Sequence, residues 1–347
     1  MRSCVLLRNF NIVKKEGVFL QIDETLLNAK YIYLDWNVIK YMKEPRLNKG
    51  ELDKEFKDTV FKLKKKYKFP YSFAHIKDRA NRYSEEYYDQ VKEDFEFAET
   101  VNDTICVEID RDRPILVKET MQTCFNEYLS KLSEEISSID GSFPFTFNVN
   151  MDKIDETHPM YEFLRERNGE ISSKGMEEFL QGLYSAIFQD NRKYKKLRDY
   201  VNNFDFEHAI DQEYSFGELI YFDKLLYHMF PFLDSFKDDE STLLKKWSRI
   251  ANHWFSLNNT ELRMDLLLIQ GYSLLDMHPL FKEKLKKGKN TLDNIIRDGN
   301  HCFYASRAKY FISEDENTRI KTAFLYRAYG IKTKVVSEQE FLNCVQV

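Results

Sequence analysis

Four carboxylates and two histidines stand where a chain can present side chains to a ligand. Asp35 ends the apolar run Tyr31-Ile32-Tyr33-Leu34 in YIYLDWNVI, and Asp315 follows Phe311-Ile312 through Ser313-Glu314 in YFISED. In YSFAHIKDRA, Asp78 follows His75 by three residues. In RDGNHCFYAS, Asp298 precedes His301 by three, so each pair shares a helix face. Four acids drawn together repel one another unless a cation sits among them, and hard oxygen donors suit Mg²⁺ or Mn²⁺ better than zinc. Such a centre can activate water and offset charge on a phosphoryl group. Each acid also has a role that needs no cation. Asp35 and Asp315 both stand where a helix begins and suit a cap or a first-turn acid. The two His/Asp pairs could equally be surface pairs worth roughly 0.3–0.5 kcal/mol each. The joint placement of the four favours a site.

The elements that must position these residues follow from periodicity. Residues 30–110 alternate strand and helix signals. A strand ends at Asp35, and a helix follows with Leu52, Phe56, Val60 and Leu63 at helical spacing. KFPYSF (68–73) reads as a second strand, residues 74–99 as one long helix, and TICVEID (104–110) as a third strand. From about 113 to 290 the periodicity is mainly helical, except GSFPFTFNVN (141–150), which suits a short strand pair or an ordered loop. From 291 the alternation returns, with a helix, the strand KYFIS, a helix stopped at Gly330, the strand KTKVV and a capping box at Ser337 and Glu340. The expected fold is α/β, a parallel sheet flanked by helices and interrupted by a mainly α-helical insertion domain. Residues 1–112 plus 291–347 would form the α/β domain and residues 113–290 the insertion. Ligands of an open parallel sheet bind beyond the carboxyl ends of its strands, where Asp35 and Asp315 fall.

Composition bounds the class. Among 347 residues only 11 are Gly and 7 Pro, against 28 Phe and 21 Tyr, which favours long helices and ample cores. The 52 basic and 57 acidic residues give a net charge of −5, which neither suggests nor excludes a nucleic acid, since local patches steer a polyanion. Five widely spaced cysteines without a CxxC pair argue against a disulfide framework or zinc ribbon and fit a reducing compartment. The N-terminal apolar run is too short for a signal peptide or a membrane span, so a soluble cytoplasmic protein is expected.

The two ends of the chain together resemble PIN-like nuclease domains. YIYLDWNVI is similar to that family's opening strand, RDGNHCFYASRAKYFISEDENTRI to its closing segment, GIKTKVVSEQEFL to its last strand and helix, and PYSFAHIKD to the strand and helix carrying a second acid. The resemblance implies that Asp35, Asp78, Asp298 and Asp315 are catalytic, metal-binding carboxylates. Asn37 and Ser313 would support them, while His75 and His301 would touch ligand or substrate, or simply pack. The second acid is often Glu in that family, which makes Glu85 and Glu86 rivals to Asp78. The implied activity is Mg²⁺- or Mn²⁺-dependent phosphodiester cleavage leaving 5′-phosphate and 3′-hydroxyl ends.

The expected substrate is single-stranded RNA, cut internally, with a toxin or defence role compatible. A DNA nuclease of the same chemistry and a non-catalytic scaffold binding a protein are the alternatives. Lys77, Arg79, Arg82, Arg297, Lys309 and Arg319 lie near the acids in sequence and are candidate phosphate contacts. The basic runs at 62–68, 192–200 and 282–290 read as well as solvated helix faces. The insertion carries Asp276, His278 and His253 without a ligand motif. It suits a partner-binding, self-associating or substrate-gating module.

Overall fold

The computed structural model describes residues 29–80, 83–110, 113–132, 146–154, 161–172, 191–203, 238–256, 263–284 and 292–345, with Leu26, Glu156 and Ser235. Two compact units emerge, one of residues 12–137, 263–272 and 296–347, the other of residues 1–11, 138–262 and 273–295. In chain order the elements are β1 (Ile32–Leu34), α1 (Trp36–Lys43), α2 (Gly50–Leu63), β2 (Tyr71–Ser72), α3 (Phe73–Ala80), α4 (Tyr88–Asn102), β3 (Ile105–Asp110), β4 (Arg113–Lys118) and α5 (Met121–Leu132). Then come β5 (Thr146–Asn148), α6 (Tyr161–Glu166), β6 (Glu170–Ser172), α7 (Asn191–Asn203), α8 (Glu240–Ser256) and α9 (Met264–Met277). The chain closes with α10 (Leu292–Tyr304), β7 (Tyr310–Ile312), α11 (Glu316–Ala328), β8 (Lys334–Val336) and α12 (Glu338–Val345).

The first unit is mixed α/β, with parallel strands flanked by helices. β7 lies between β1 and β8, parallel to both, with Tyr33 opposite Phe311 and Phe311 opposite Val335. β2 pairs parallel with β3, and a parallel bridge between Tyr31 and Lys68 ties the chain just before β2 to β1. Two three-stranded sheets, β8-β7-β1 and β2-β3-β4, thus meet at the bridge between the start of β1 and the chain before β2. From β1 the chain steps to β2 on one side and later returns to β7 on the other, so the end of β1 is a switch point between the two directions. Ile32, Tyr33 and Leu34 are buried, as are Tyr310, Phe311 and Ile312, as expected of strands with helices over both faces. Val38, Ile39 and Met42 of α1, Phe56 and Val60 of α2, and Val91, Phe95 and Ala98 of α4 fill one core with Phe341 of α12.

Two sequence expectations are corrected. Residues 74–99 do not form one helix: α3 stops at Ala80, and a 3₁₀ turn at Glu85–Tyr87 precedes α4. A straight helix over that range would run about 39 Å, far beyond a strand such as β3. Breaking it lets α3 and α4 bury separate faces. Residues 113–118, expected to be helical, form β4, antiparallel to β3 from Ile105↔Lys118 to Asp110↔Arg113. Pro114 is tolerated because β4 is an edge strand. The strand carries the α/β unit past residue 112. In the other unit, Thr146–Asn148 pairs antiparallel with Glu170–Ser172. Asp276 there is a buried acceptor for Tyr194 Oη (2.7 Å), Arg198 Nη1 (2.8 Å) and the Glu283 N–H (3.0 Å). Arg198, from the basic run 192–200, is thus core rather than solvated face.

A guanidinium ties the first unit's edge together. Arg46 bonds Asp53 of α2, Glu314 after β7 (2.7 Å) and Glu338 at the start of α12 (2.5 Å). Lys49 Nζ adds a second cation at Glu314 (2.9 Å), so three acids face two positive charges and one acid is favoured to keep its proton. Burial and the neighbouring Glu314 push the Glu338 carboxyl up to about 8, despite Arg46. The folded state then holds a proton that the unfolded chain releases near 4.5. Stability contributed by Glu338 is present at low pH and lost as pH rises through that window.

We predict that wild-type stability, relative to Glu338→Gln, declines between about pH 4.5 and 8. The limiting slope is about 1.4 kcal/mol per pH unit for one proton. Urea unfolding of both proteins across that range measures it, and parallel curves would refute it. A second prediction concerns Gly299 on α10. A Cβ there would sit 2.9 Å from the Ile269 carbonyl oxygen of α9. Gly299→Ala gains about 0.8–1 kcal/mol of helix propensity but suffers overpacking of about 1–3 kcal/mol against backbone. The denaturation midpoint is expected to fall.

Candidate metal centre

Asp35 leaves the end of β1 and opens α1. Its backbone N–H donates to the Ile312 carbonyl (2.9 Å), and its own carbonyl accepts from Val38 and Ile39 (3.1 and 3.2 Å). The backbone therefore begins the helix, but the side chain makes no capping bond. That carboxylate, in a residue only 6% exposed, accepts instead from Ser313 Oγ (2.7 Å), at the end of β7. The neighbouring strand's end thus holds it in place.

Asp78 reaches the same place from α3. Its Oδ2 lies 2.8 Å from His301 Nε2, and its Oδ1 accepts from Arg297 Nη1 at 3.1 Å. Arg297 and His301 are four residues apart on α10, so a single helix face grips both oxygens. One donor atom each from Asp35, Asp78 and His301 lie within 4.8 Å of one another. Two carboxylates and an imidazole at this spacing are a donor set that a divalent cation fits.

His75 does different work. The Ser72 N–H donates to its Nδ1 (3.0 Å), so that nitrogen carries no proton, and Nε2–H donates to the Leu34 carbonyl (2.8 Å). Both nitrogens are committed, and the ring pins α3 to the end of β1. Burial and the nearby His301 push its pKa down to about 3, so it is neutral.

Electrostatics separates the remaining members. Burial pushes the Asp35 carboxyl up, against the attraction of His301 and the Ser313 bond. Burial also raises Asp78, but His301 and Arg297 outweigh it, and its carboxyl lies below the usual range. Burial lowers His301, yet Asp78 and Asp35 outweigh that and raise it. The two shifts share one cause, the 2.8 Å contact between His301 Nε2 and Asp78 Oδ2.

The other expected residues are placed differently. Asp315 caps α11, its Oδ1 accepting from the Thr318 N–H (3.0 Å), and it is not one of the three clustered donors. Asp298, half-buried on α10, is also outside that group. Asn37 is exposed on the first turn of α1. Glu85 and Glu86 lie in the 3₁₀ turn beyond the end of α3, and Asp78 occupies the place for which they were rivals. Among the expected phosphate contacts, Arg79 pairs with Asp94 (2.8 Å), Arg297 with Asp78, Lys309 with the Tyr67 hydroxyl (2.7 Å) and Arg319 with the Ser313 carbonyl (2.7 Å). Lys77 lies over the Phe73 ring, and Arg82 falls outside the described residues. Sequence reasoning missed Tyr33, which touches both histidines, and Ser72, which touches His75 and the Tyr33 hydroxyl; Tyr33 had read only as an apolar strand residue.

Comparison with protein families, with curated proteins and with solved structures finds no match for this chain. Among the described residues no helix is long and apolar enough to cross a membrane.

Asp35→Asn tests the cost of the buried charge. In EDTA the variant is expected to unfold at the wild-type temperature or above it. The amide oxygen still accepts from Ser313, and no ion is taken out of water. A clear loss of thermal midpoint would show that the carboxylate is satisfied by the protein alone.

Proposed function

We propose that Asp35, Asp78 and His301 hold a divalent cation, Mg²⁺ or Mn²⁺, and that the protein is a metal-dependent phosphodiesterase. The favoured activity is internal cleavage of single-stranded RNA to 5′-phosphate and 3′-hydroxyl ends. The observation that carries this reading is the meeting of the three donors beyond the end of the central strand, where an open parallel sheet binds ligands. The resemblance of the chain's ends to PIN-like nucleases supplies the substrate class.

When bound, the cation would supply an activated water and offset charge at phosphorus. The chain's own residues prepare that step. Asp35 and Asp78 provide the negative charge that draws the cation in, and Ser313 and Arg297 fix their orientation. His301 Nε2, 2.8 Å from Asp78 Oδ2, would turn its lone pair to the cation. An imidazole in place of a third carboxylate tilts the preference toward Mn²⁺ over Mg²⁺.

The test is incubation of labelled single-stranded RNA and DNA with Mn²⁺, Mg²⁺ or EDTA, alongside Asp35→Asn and Asp78→Asn. Expected is RNA cleavage that needs the cation, is faster with Mn²⁺, and drops by about 10²–10³-fold in either variant. Cleavage in EDTA, or full activity in both variants, would overturn the proposal. Preferential cutting of DNA would keep the chemistry and change the substrate.

A further inference from the structure

Behind His301 runs a chain of polar groups sealed from water. His301 Nδ1 lies 2.8 Å from the Tyr33 hydroxyl, which lies 2.5 Å from Ser72 Oγ, which lies 3.2 Å from His75 Nδ1. Tyr33, Ser72, His75 and His301 are each no more than 1% exposed. The far end has a fixed polarity. His75 Nε2–H is spent on the Leu34 carbonyl, a group that can only accept, so Nδ1 of that ring must be an acceptor.

That fixed end admits two arrangements of the other bonds, since His75 Nδ1 also accepts from the Ser72 N–H. Ser72 Oγ–H can donate to His75 Nδ1 while Oγ accepts from the Tyr33 hydroxyl and from the Ala74 N–H (3.2 Å). Tyr33 Oη is then left to accept, and the only partner still offering a proton is His301 Nδ1–H. A proton on Nδ1 leaves the Nε2 lone pair facing Asp35 and Asp78. When Nε2 instead carries the proton to Asp78, the two hydroxyls can turn round, Ser72 donating to Tyr33 and Tyr33 to His301 Nδ1. Every group in the chain keeps a partner in both arrangements. An outer hydrogen bond of this kind fixes a ligating imidazole's tautomer and ring orientation.

We infer that Tyr33 is a positioning residue for the metal centre: its hydroxyl, backed by Ser72 and His75, holds the Nδ1 proton of His301 and so presents Nε2 to the cation. The inference rests on the proposed cation site and adds to it the group that makes His301 a ligand. Phe at position 33 keeps the ring, which packs edge-on against His301 and Phe311, and deletes only the hydroxyl.

The experiment is a Mn²⁺ titration of the full chain, read as free Mn²⁺ by electron paramagnetic resonance, on wild type, Tyr33→Phe, Ser72→Ala and His301→Ala. Thermal unfolding in EDTA is recorded for each. Expected is Mn²⁺ binding by wild type, an affinity reduced about 10–100-fold in Tyr33→Phe, and a smaller loss in Ser72→Ala. In Zn²⁺-loaded wild type, nitrogen-15 spectra of the histidine side chains should show His301 protonated at Nδ1 and bare at Nε2. Wild-type affinity in Tyr33→Phe would overturn the inference while leaving the cation site standing. Absence of Mn²⁺ binding by wild type, or undiminished binding by His301→Ala, would overturn the site reading and the inference with it. Should Tyr33→Phe fail to fold, Ser72→Ala and the nitrogen-15 spectrum decide: unchanged affinity together with a proton on Nε2 would overturn the inference.

Discussion

A carboxylate buried at the end of the central strand is the constraint on which the rest of this unit depends. Taking an ion out of water costs several kcal/mol even after the protein relaxes around it. Asp35 can bear that cost only because neighbouring elements deliver polar partners to the same few ångströms. β7 must lie beside β1 for Ser313 to reach it. α3 must begin at the end of β2 so that His75 can seal the Leu34 carbonyl and Asp78 can face inward. α10 must run close enough for His301 to sit between the acids. The switch in strand order at β1 satisfies all three demands, because it leaves that strand's end flanked on both sides.

The unit holds two acid clusters, and their difference shows why one is a candidate centre and the other is a tie. Around Arg46, three carboxylates meet a guanidinium whose fork has a nitrogen for each, and the excess charge is relieved by a proton on Glu338. A planar cation that is always charged already fills that space. Around Asp35 the basic group among the acids is the His301 imidazole, which carries no permanent charge. The first cluster is closed by a residue that is always charged, and the second by one that is not, which is why the second is the candidate cation site.

Sequence made β1 and β7 legible because they are short, apolar and buried, Asp35 because it ends a strand, and Asp78 because it follows His75 by three on a helix. It did not disclose β4, since Arg113–Lys118 carries Pro114 and lies inside a long stretch of helical periodicity. It could not separate Asp298 from His301 as the inward residue of α10. The two share a helix face at a spacing of three, and only the approach of α3 decides which meets Asp78. Asp315 was legible in its second role, since an acid opening a helix is a cap by default and the backbone N–H of Thr318 takes it. Charge in sequence carries no information about its partner: Arg79, Arg297, Lys309 and Arg319 each have an intramolecular one.

Tyr33 shows how far the core and the site are one structure. Its ring belongs to a strand whose neighbours are Ile32 and Leu34, and it packs edge-on against Phe311 across the sheet. A Phe would satisfy every apolar contact there. The hydroxyl is what the core does not require, and burying it without partners would be costly. It is retained in a place where both histidines and Ser72 meet it, and burial keeps its proton firmly attached. A strand residue with a polar tip aimed along the sheet toward its carboxyl end thus joins the packing of β1 to the state of His301. Any change that shifts β1 against β7 or α3 acts on the hydrogen bonds behind the imidazole as well as on the carboxylates in front.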